Sequence, residues 1–155
     1  MAETIHQEVR DAYGAIAYVG RPFHETHPNR LLAVAQLHGV APPKRETISV
    51  LEIGCGDGAN LVPMAASYPR GRFVGIDLSD RLVAIARALA EGAGIPNVTL
   101  LQGDVGTLPS RVGAFDVIVA HGFYSWVPPD VRDTMFRTIA RERKKREIDP
   151  LIHSL

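Results

Sequence analysis

The stretch ISVLEIGCGDGAN, residues 48–60, decides the fold. A short apolar strand, ISVLEI (48–53), runs into glycines at alternate positions, Gly54, Gly56 and Gly58. The next residues, ANLVPMAASY (59–68), suit a helix, and Pro63 is tolerable there because it falls near the first turn. Pro69 and Gly71 end that helix, and RFVGID (72–77) reads as a second strand. Ser79 then stands where an N-cap belongs, with Leu82, Ile85, Ala86 and Leu89 following at helical spacing until Gly92, Gly94 and Pro96 stop the pattern. Val98 to Leu101 is a third strand, followed by QGD, and FDVIVA (115–120) is a fourth. Pro128 and Pro129 open a last helix in which Val131, Met135 and Ile139 share one face. Strands alternating with helices imply a parallel sheet covered on both faces, and right-handed crossovers make a Rossmann-like, doubly wound α/β fold the simplest topology.

The 155 residues are enough for one domain with a substantial core. Hydrophobic residues make up 46% and charged residues 22%, an ordinary globular composition. Lys plus Arg and Asp plus Glu both number 17, so net charge gives no general pull toward nucleic acid or an anionic membrane. Cys55 is the single cysteine, which excludes an internal disulfide and suggests no metal cluster. The start, MAETIHQEVRDAY, is charged throughout and is no secretory signal, and no apolar run approaches a membrane span, so the expected location is cytoplasmic.

Residues 1–45 differ from the rest. A helical pattern follows Pro28, from about Asn29 to His38, and VAPPKRE (40–46) reads as a linker into the first strand. Ahead of it the chain is irregular and aromatic (Tyr13, Tyr18, Phe23), an arm or lid over the domain or else a loose terminal tail. The expected division is an arm with a cap helix over 1–45, a partial cofactor-binding domain over 46–143 and a basic tail over 144–155.

The glycine turn raises the question of its ligand. Gly54, Gly56 and Ala59 satisfy G-x-G-x-x-A, and Asp77 lies about 20 residues further on, where a dinucleotide fold places its ribose-binding acid. On that evidence an NAD-dependent oxidoreductase is a fair reading. The acids oppose it. Glu52 and Asp57 bracket the turn, with no Lys or Arg between Val50 and Tyr68, and a pyrophosphate there would meet like charge. A ligand without phosphate and with some positive charge fits better. S-adenosyl-L-methionine, with its sulfonium, ammonium, ribose and adenine, is such a ligand.

VLEIGCGDG, FVGIDLS and LLQGD, in that order, resemble the successive motifs of class I S-adenosylmethionine-dependent methyltransferases over about Ile48 to Arg143. The resemblance implies roles position by position. Gly54 and Gly56 let the backbone approach the methionine part, with Cys55 between them serving through its backbone. Glu52 supports the loop and the amino group. Asp77 meets the ribose hydroxyls, Leu78 packs on the adenine, Asp104 accepts from the adenine amino group, and Val105 lies beside the ring. His121, at the end of the fourth strand, falls where the family lines the methyl-transfer site and is the candidate base. Alternatives stay open: Asp104 as a turn former, Asp77 as a partner of the next helix N-terminus, Cys55 as a small buried residue. A narrower likeness, carried by THPNRL (26–31), GCGDGANLVPMA (54–65) and AHGFYSWVPPDVRD (120–133), is to bacterial methyltransferases with a separate regulatory domain downstream. Gly14 and Ala17 depart from that family's arm motif.

HGFYSWVPP (121–129) is the most unusual loop, holding the only Trp. Tyr124 and Trp126 stack on a planar substrate or on the adenine, or else Trp126 and Phe123 pack beneath the last helix as a hydrophobic anchor. No amino-group signature precedes the proline pair, so the methyl acceptor is unidentified. The fourth strand is apolar on both faces and wants a neighbour on each side, yet ARERKKREIDPLIHSL (140–155) reads as a basic tail without a strand. The expectation is therefore an incomplete sheet, order 3-2-1-4 with strands 5 to 7 absent, from a truncated chain with reduced turnover. A non-catalytic S-adenosylmethionine-binding or assembly module, self-associating through the bare edge, is the alternative from a different class.

Overall fold

A computed structural model describes residues 20–109, 112–125, 127–143 and 152–153. Its elements are α1 (Pro28–Leu37), β1 (Ser49–Ile53), α2 (Leu61–Ser67), β2 (Arg72–Asp77), α3 (Asp80–Gly92), β3 (Val98–Gln102), β4 (Val117–Val119), α4 (Pro129–Glu142) and β5 (Ile152–His153), with single 3-10 turns at His24–Thr26, Arg45–Thr47 and Val105–Thr107. Local signals set several of the boundaries. Pro28 and Pro129 begin their helices, where a missing N–H costs nothing. Ser79 Oγ accepts from Leu82 N at the start of α3.

The sheet is parallel, in the order β3-β2-β1-β4-β5. Alternation along each strand sorts side chains onto two faces. Val50, Phe73, Val117 and Val119 join Leu31, Leu61, Met64 and Val83 in one core, under α1, α2 and α3. Leu51, Ile53, Val74, Ile76 and Ile118 join Met135 and Ile139 of α4 in the other. β1 is buried along its whole length, as a strand with neighbours on both sides and helices on both faces must be. Its junction with the chain before β4 is pinned by Asp116 Oδ2, which accepts from Ser49 Oγ at 2.6 Å and Ser49 N at 3.0 Å.

The 3-2-1-4 order expected from the pattern is present, and one expectation is corrected. Beyond α4, Ile152 and His153 pair with Ile118 and Val119, and Arg143 bridges Phe115. The outer edge of β4 is therefore not bare, because a fifth strand satisfies part of its backbone from within the stretch read as a strandless basic tail. Tyr13, Gly14, Ala17, Tyr18, Trp126 and the lysines of that tail lie outside the described residues.

Candidate cofactor site

The carboxyl ends of β1, β2 and β3 open on one cleft, where a doubly wound sheet places its ligands. Gly54, Asp77, Leu78, Asp104 and Val105 all line it, with Phe123 and the start of α4 opposite. The glycine turn leaves β1 through positive φ at Gly54 (73°) and Gly56 (52°), a region disfavoured for side chains. A Cβ on Gly56 would meet nothing within 4 Å, whereas one on Gly54 would stand 2.9 Å from the Phe123 ring.

Backbone amides fill the carboxylates of this rim. Asp77 accepts from Gly56 N and from Ser79 N, each at 2.9 Å, so the acid after β2 ties the glycine turn to the start of α3. Burial pushes its carboxyl up, while the amides of Ser79, Gly56 and Leu78 pull it down. Asp104 caps the following 3-10 turn, accepting from Gly106 N at 2.8 Å. Both open alternatives for these two acids thus describe contacts that exist, and neither contact removes them from the cleft.

Glu52 and Cys55 lie behind the turn. Cys55 is buried beside Gly75 of β2, where an added Cβ would meet its Sγ at 2.7 Å. Burial, with the nearby Glu52 and Asp77, holds its thiol well above the ordinary range, which disfavours the thiolate. Glu52 is 4% exposed. Its Oε1 accepts from Asn60 Nδ2 at 2.6 Å, and among the described residues its buried Oε2 has no hydrogen-bond partner. Burial pushes its carboxyl up to about 8; the Asn60 hydrogen bond opposes this, and Asp77 and Asp57 add to it.

His121 does not line the cleft. Its ring is tilted against Phe23, centroids 4.0 Å apart. Phe23 belongs to a strap, Gly20–Thr26, laid against the glycine turn: Asp57 accepts from Gly20 N at 2.9 Å, and Asn60 Oδ1 accepts from Phe23 N at 2.8 Å. Tyr124 meets Phe136 edge-on at 6.0 Å, with the Arg132 guanidinium 4.6 Å above the Tyr124 ring. Sequence reasoning missed Asn60, Thr26 and the cover that Phe123 makes over Gly54. The signal available for Asn60 was its place at the end of the glycine turn; its type there suggests a helix cap, yet its side chain makes no cap bond.

A family model described as a methyltransferase domain matches residues 50–145. Uncharacterized protein RP028 of Rickettsia prowazekii is 37% identical over 128 residues, which is 83% of this chain and 51% of that protein. PKMT2 from Rickettsia typhi, solved in complex with AdoHcy, is 36% identical with a TM-score of 0.79, over 82% of this chain and 24% of its own. Trans-aconitate 2-methyltransferase of Deinococcus radiodurans is 30% identical over 90 residues, 58% of this chain and 32% of that enzyme. The chain thus spans about half the length of RP028 and about a quarter of PKMT2. These matches give the NAD-dependent oxidoreductase alternative no support, in line with the carboxylates at the turn. No helix among the described residues is long and apolar enough to cross a membrane.

Proposed function

The chain belongs to the S-adenosylmethionine-dependent methyltransferases, and on that premise we propose that its cleft binds S-adenosyl-L-methionine for methyl transfer to an acceptor still to be identified. The observation that carries the reading is the convergence of Gly54, Asp77, Leu78, Asp104 and Val105 on one cleft, with Gly56 bonded to Asp77. The residues present suit this cofactor. The turn has acids and no cations, the space beyond Gly56 is clear for a ligand to approach the backbone, and a buried carboxylate oxygen of Glu52 stands without a partner.

In this reading Gly54, Cys55 and Gly56 cradle the methionine part through their backbone, with Glu52 behind them for the amino group. Asp77 takes the ribose hydroxyls with lone pairs that its amide partners leave available. Leu78 and Val105 flank the adenine, and Asp104 accepts from its amino group. The bound cofactor supplies an electrophilic methyl on a sulfonium, so the protein's task is alignment and exclusion of water. Phe123, Val127 and Val131 add an apolar stretch to the cleft lining. His121, which the sequence offers as the base for an acceptor that must lose a proton, packs on Phe23 outside this lining, and we assign it no proton-transfer role. The narrower kinship, with methyltransferases that carry a downstream regulatory domain, rests on the motifs at 26–31, 54–65 and 120–133.

Calorimetry with S-adenosylhomocysteine tests the reading, with NAD and Asp77→Ala in parallel. Saturable binding of S-adenosylhomocysteine alone is expected. Asp77→Ala should weaken it by about 30-fold or more, since a buried acceptor serving both loop and ligand is lost. Folded protein that binds NAD, or that binds neither ligand, overturns the reading.

A further inference from the structure

A ring occupies one end of the cleft. Sheet order sets the long axis: Asp104 and Val105 follow β3, Asp77 and Leu78 follow β2, and Ile53 and Gly54 stand where β1 ends. At that last station the Phe123 ring lies on the glycine turn. A single carbon added to Gly54 would stand 2.9 Å from Phe123 Cδ2 and 3.6 Å from Phe123 Cβ and Cγ. Carbon atoms rest together at roughly 3.5–4.0 Å, so no ligand atom fits between Gly54 and the ring on that side. Gly56 differs, although it too has positive φ. An added carbon there meets nothing within 4 Å. The turn is open at its second glycine and stoppered at its first.

The stopper is lightly held. Phe123 is half-buried and packs at the margin of the core beneath α4. Gly122, just before it, has a φ of 70° and open space where a Cβ would be, so the backbone beside the ring can adjust. The rings on either side are fastened elsewhere, His121 against Phe23 and Tyr124 against Phe136, which keeps the adjustment local.

We propose that Phe123 is a specificity-determining residue that separates the nucleoside half of the cofactor from the whole molecule. Its ring rests where the methionine part must approach Gly54. The stretch from Asp77 to Val105 takes a nucleoside with the ring seated, and the complete cofactor is taken only with the ring displaced. The inference rests on the cofactor reading and adds a cost that only the larger ligand bears. The affinity for that ligand falls with the fraction of molecules whose ring is already displaced.

Calorimetry of the whole chain with adenosine and with S-adenosylhomocysteine reads the two parts separately. Phe123→Ala should raise the affinity for S-adenosylhomocysteine relative to adenosine by about five- to tenfold, the gain when a competent state of roughly 10–20% becomes the whole population. A ring that merely supports the cleft predicts a loss for both ligands and no rise in their ratio. Proton NMR gives a second reading without a variant. Nuclear Overhauser contacts between the Phe123 ring and the Gly54 α-protons should be present in the free chain and with adenosine, and lost with S-adenosylhomocysteine. Contacts that persist at saturating S-adenosylhomocysteine, or a flat ratio in folded Phe123→Ala, overturn the proposal and leave the cofactor reading standing. Should the variant fail to fold, the Overhauser contacts decide alone. Binding of neither ligand by the folded wild type or variant removes the cofactor reading and this inference with it.

Discussion

The two lips of the cleft are made of different material. On the side of the glycine turn, backbone amides donate into carboxylates: Gly56 and Ser79 into Asp77, Gly106 into Asp104, Gly20 and Ala59 into Asp57. On the side that follows β4, Phe123 lies over Gly54, and beyond the cleft lining His121 rests against Phe23 and Tyr124 between Phe136 and Arg132. Hydrogen bonds fix distance and direction, whereas apolar packing fixes only contact. One lip therefore holds its polar groups in set directions, and the other leaves more room to re-pack.

Substitutions can break or sharpen that contrast. The largest effect belongs to the polar lip, at Glu52. Its carboxyl rises from an ordinary 4.5 to about 8 in the fold, so the neutral form is the stable one. The stability this confers is whole below about pH 4.5 and is lost as pH climbs to about 8, a difference of roughly 3–5 kcal/mol. Glu52→Gln should erase that slope and leave a protein more stable to urea at pH 8 than the wild type, with weaker cofactor binding. An unchanged slope would mean that Glu52 is already ionised at neutral pH.

Next comes the contact between the lips. Gly54→Ala places a side chain at positive φ and against Phe123, and should cost about 1–3 kcal/mol in thermal unfolding. Phe123→Leu in the same chain should recover the overlap and leave the backbone part. Asp104→Ala should cost about 1 kcal/mol through the lost cap, and Asp104→Asn should restore it. The smallest effect is expected from the ring lip. Tyr124→Leu, at a half-exposed aromatic, should change stability by about 0.5 kcal/mol or less. A larger loss there would show that the ring side is as fixed as the polar side.

The periodic parts of the chain were legible. β2 spans the residues its pattern marks, and α3 starts at its Ser79 cap because the serine has no better partner than a bare helix end. Asp77 and Asp104 were findable because strand ends set them at fixed places along the chain. Three things were not legible, each for a physical reason. β5 has two residues, too few for a period of two to show, and lies beyond a basic run. The strap's bonds to the turn join residues 34 and 37 apart, which no local pattern records. Asn60 has the residue type of a cap, and only its neighbours reveal that Glu52, Thr26 and Phe23 have claimed it instead.

The seam between Ser49 and Asp116 also has a meaning in time. Those residues are 67 apart along the chain, whereas β1, β2 and β3 follow one another closely. The half-sheet that carries the glycine turn, Asp77 and Asp104 can zip as it is synthesised. The other flank of its central strand stays open until β4 emerges, and that pairing carries the larger loop-closure cost. A growing chain thus spends an interval with Val50, Leu51 and Glu52 still without their β4 partners.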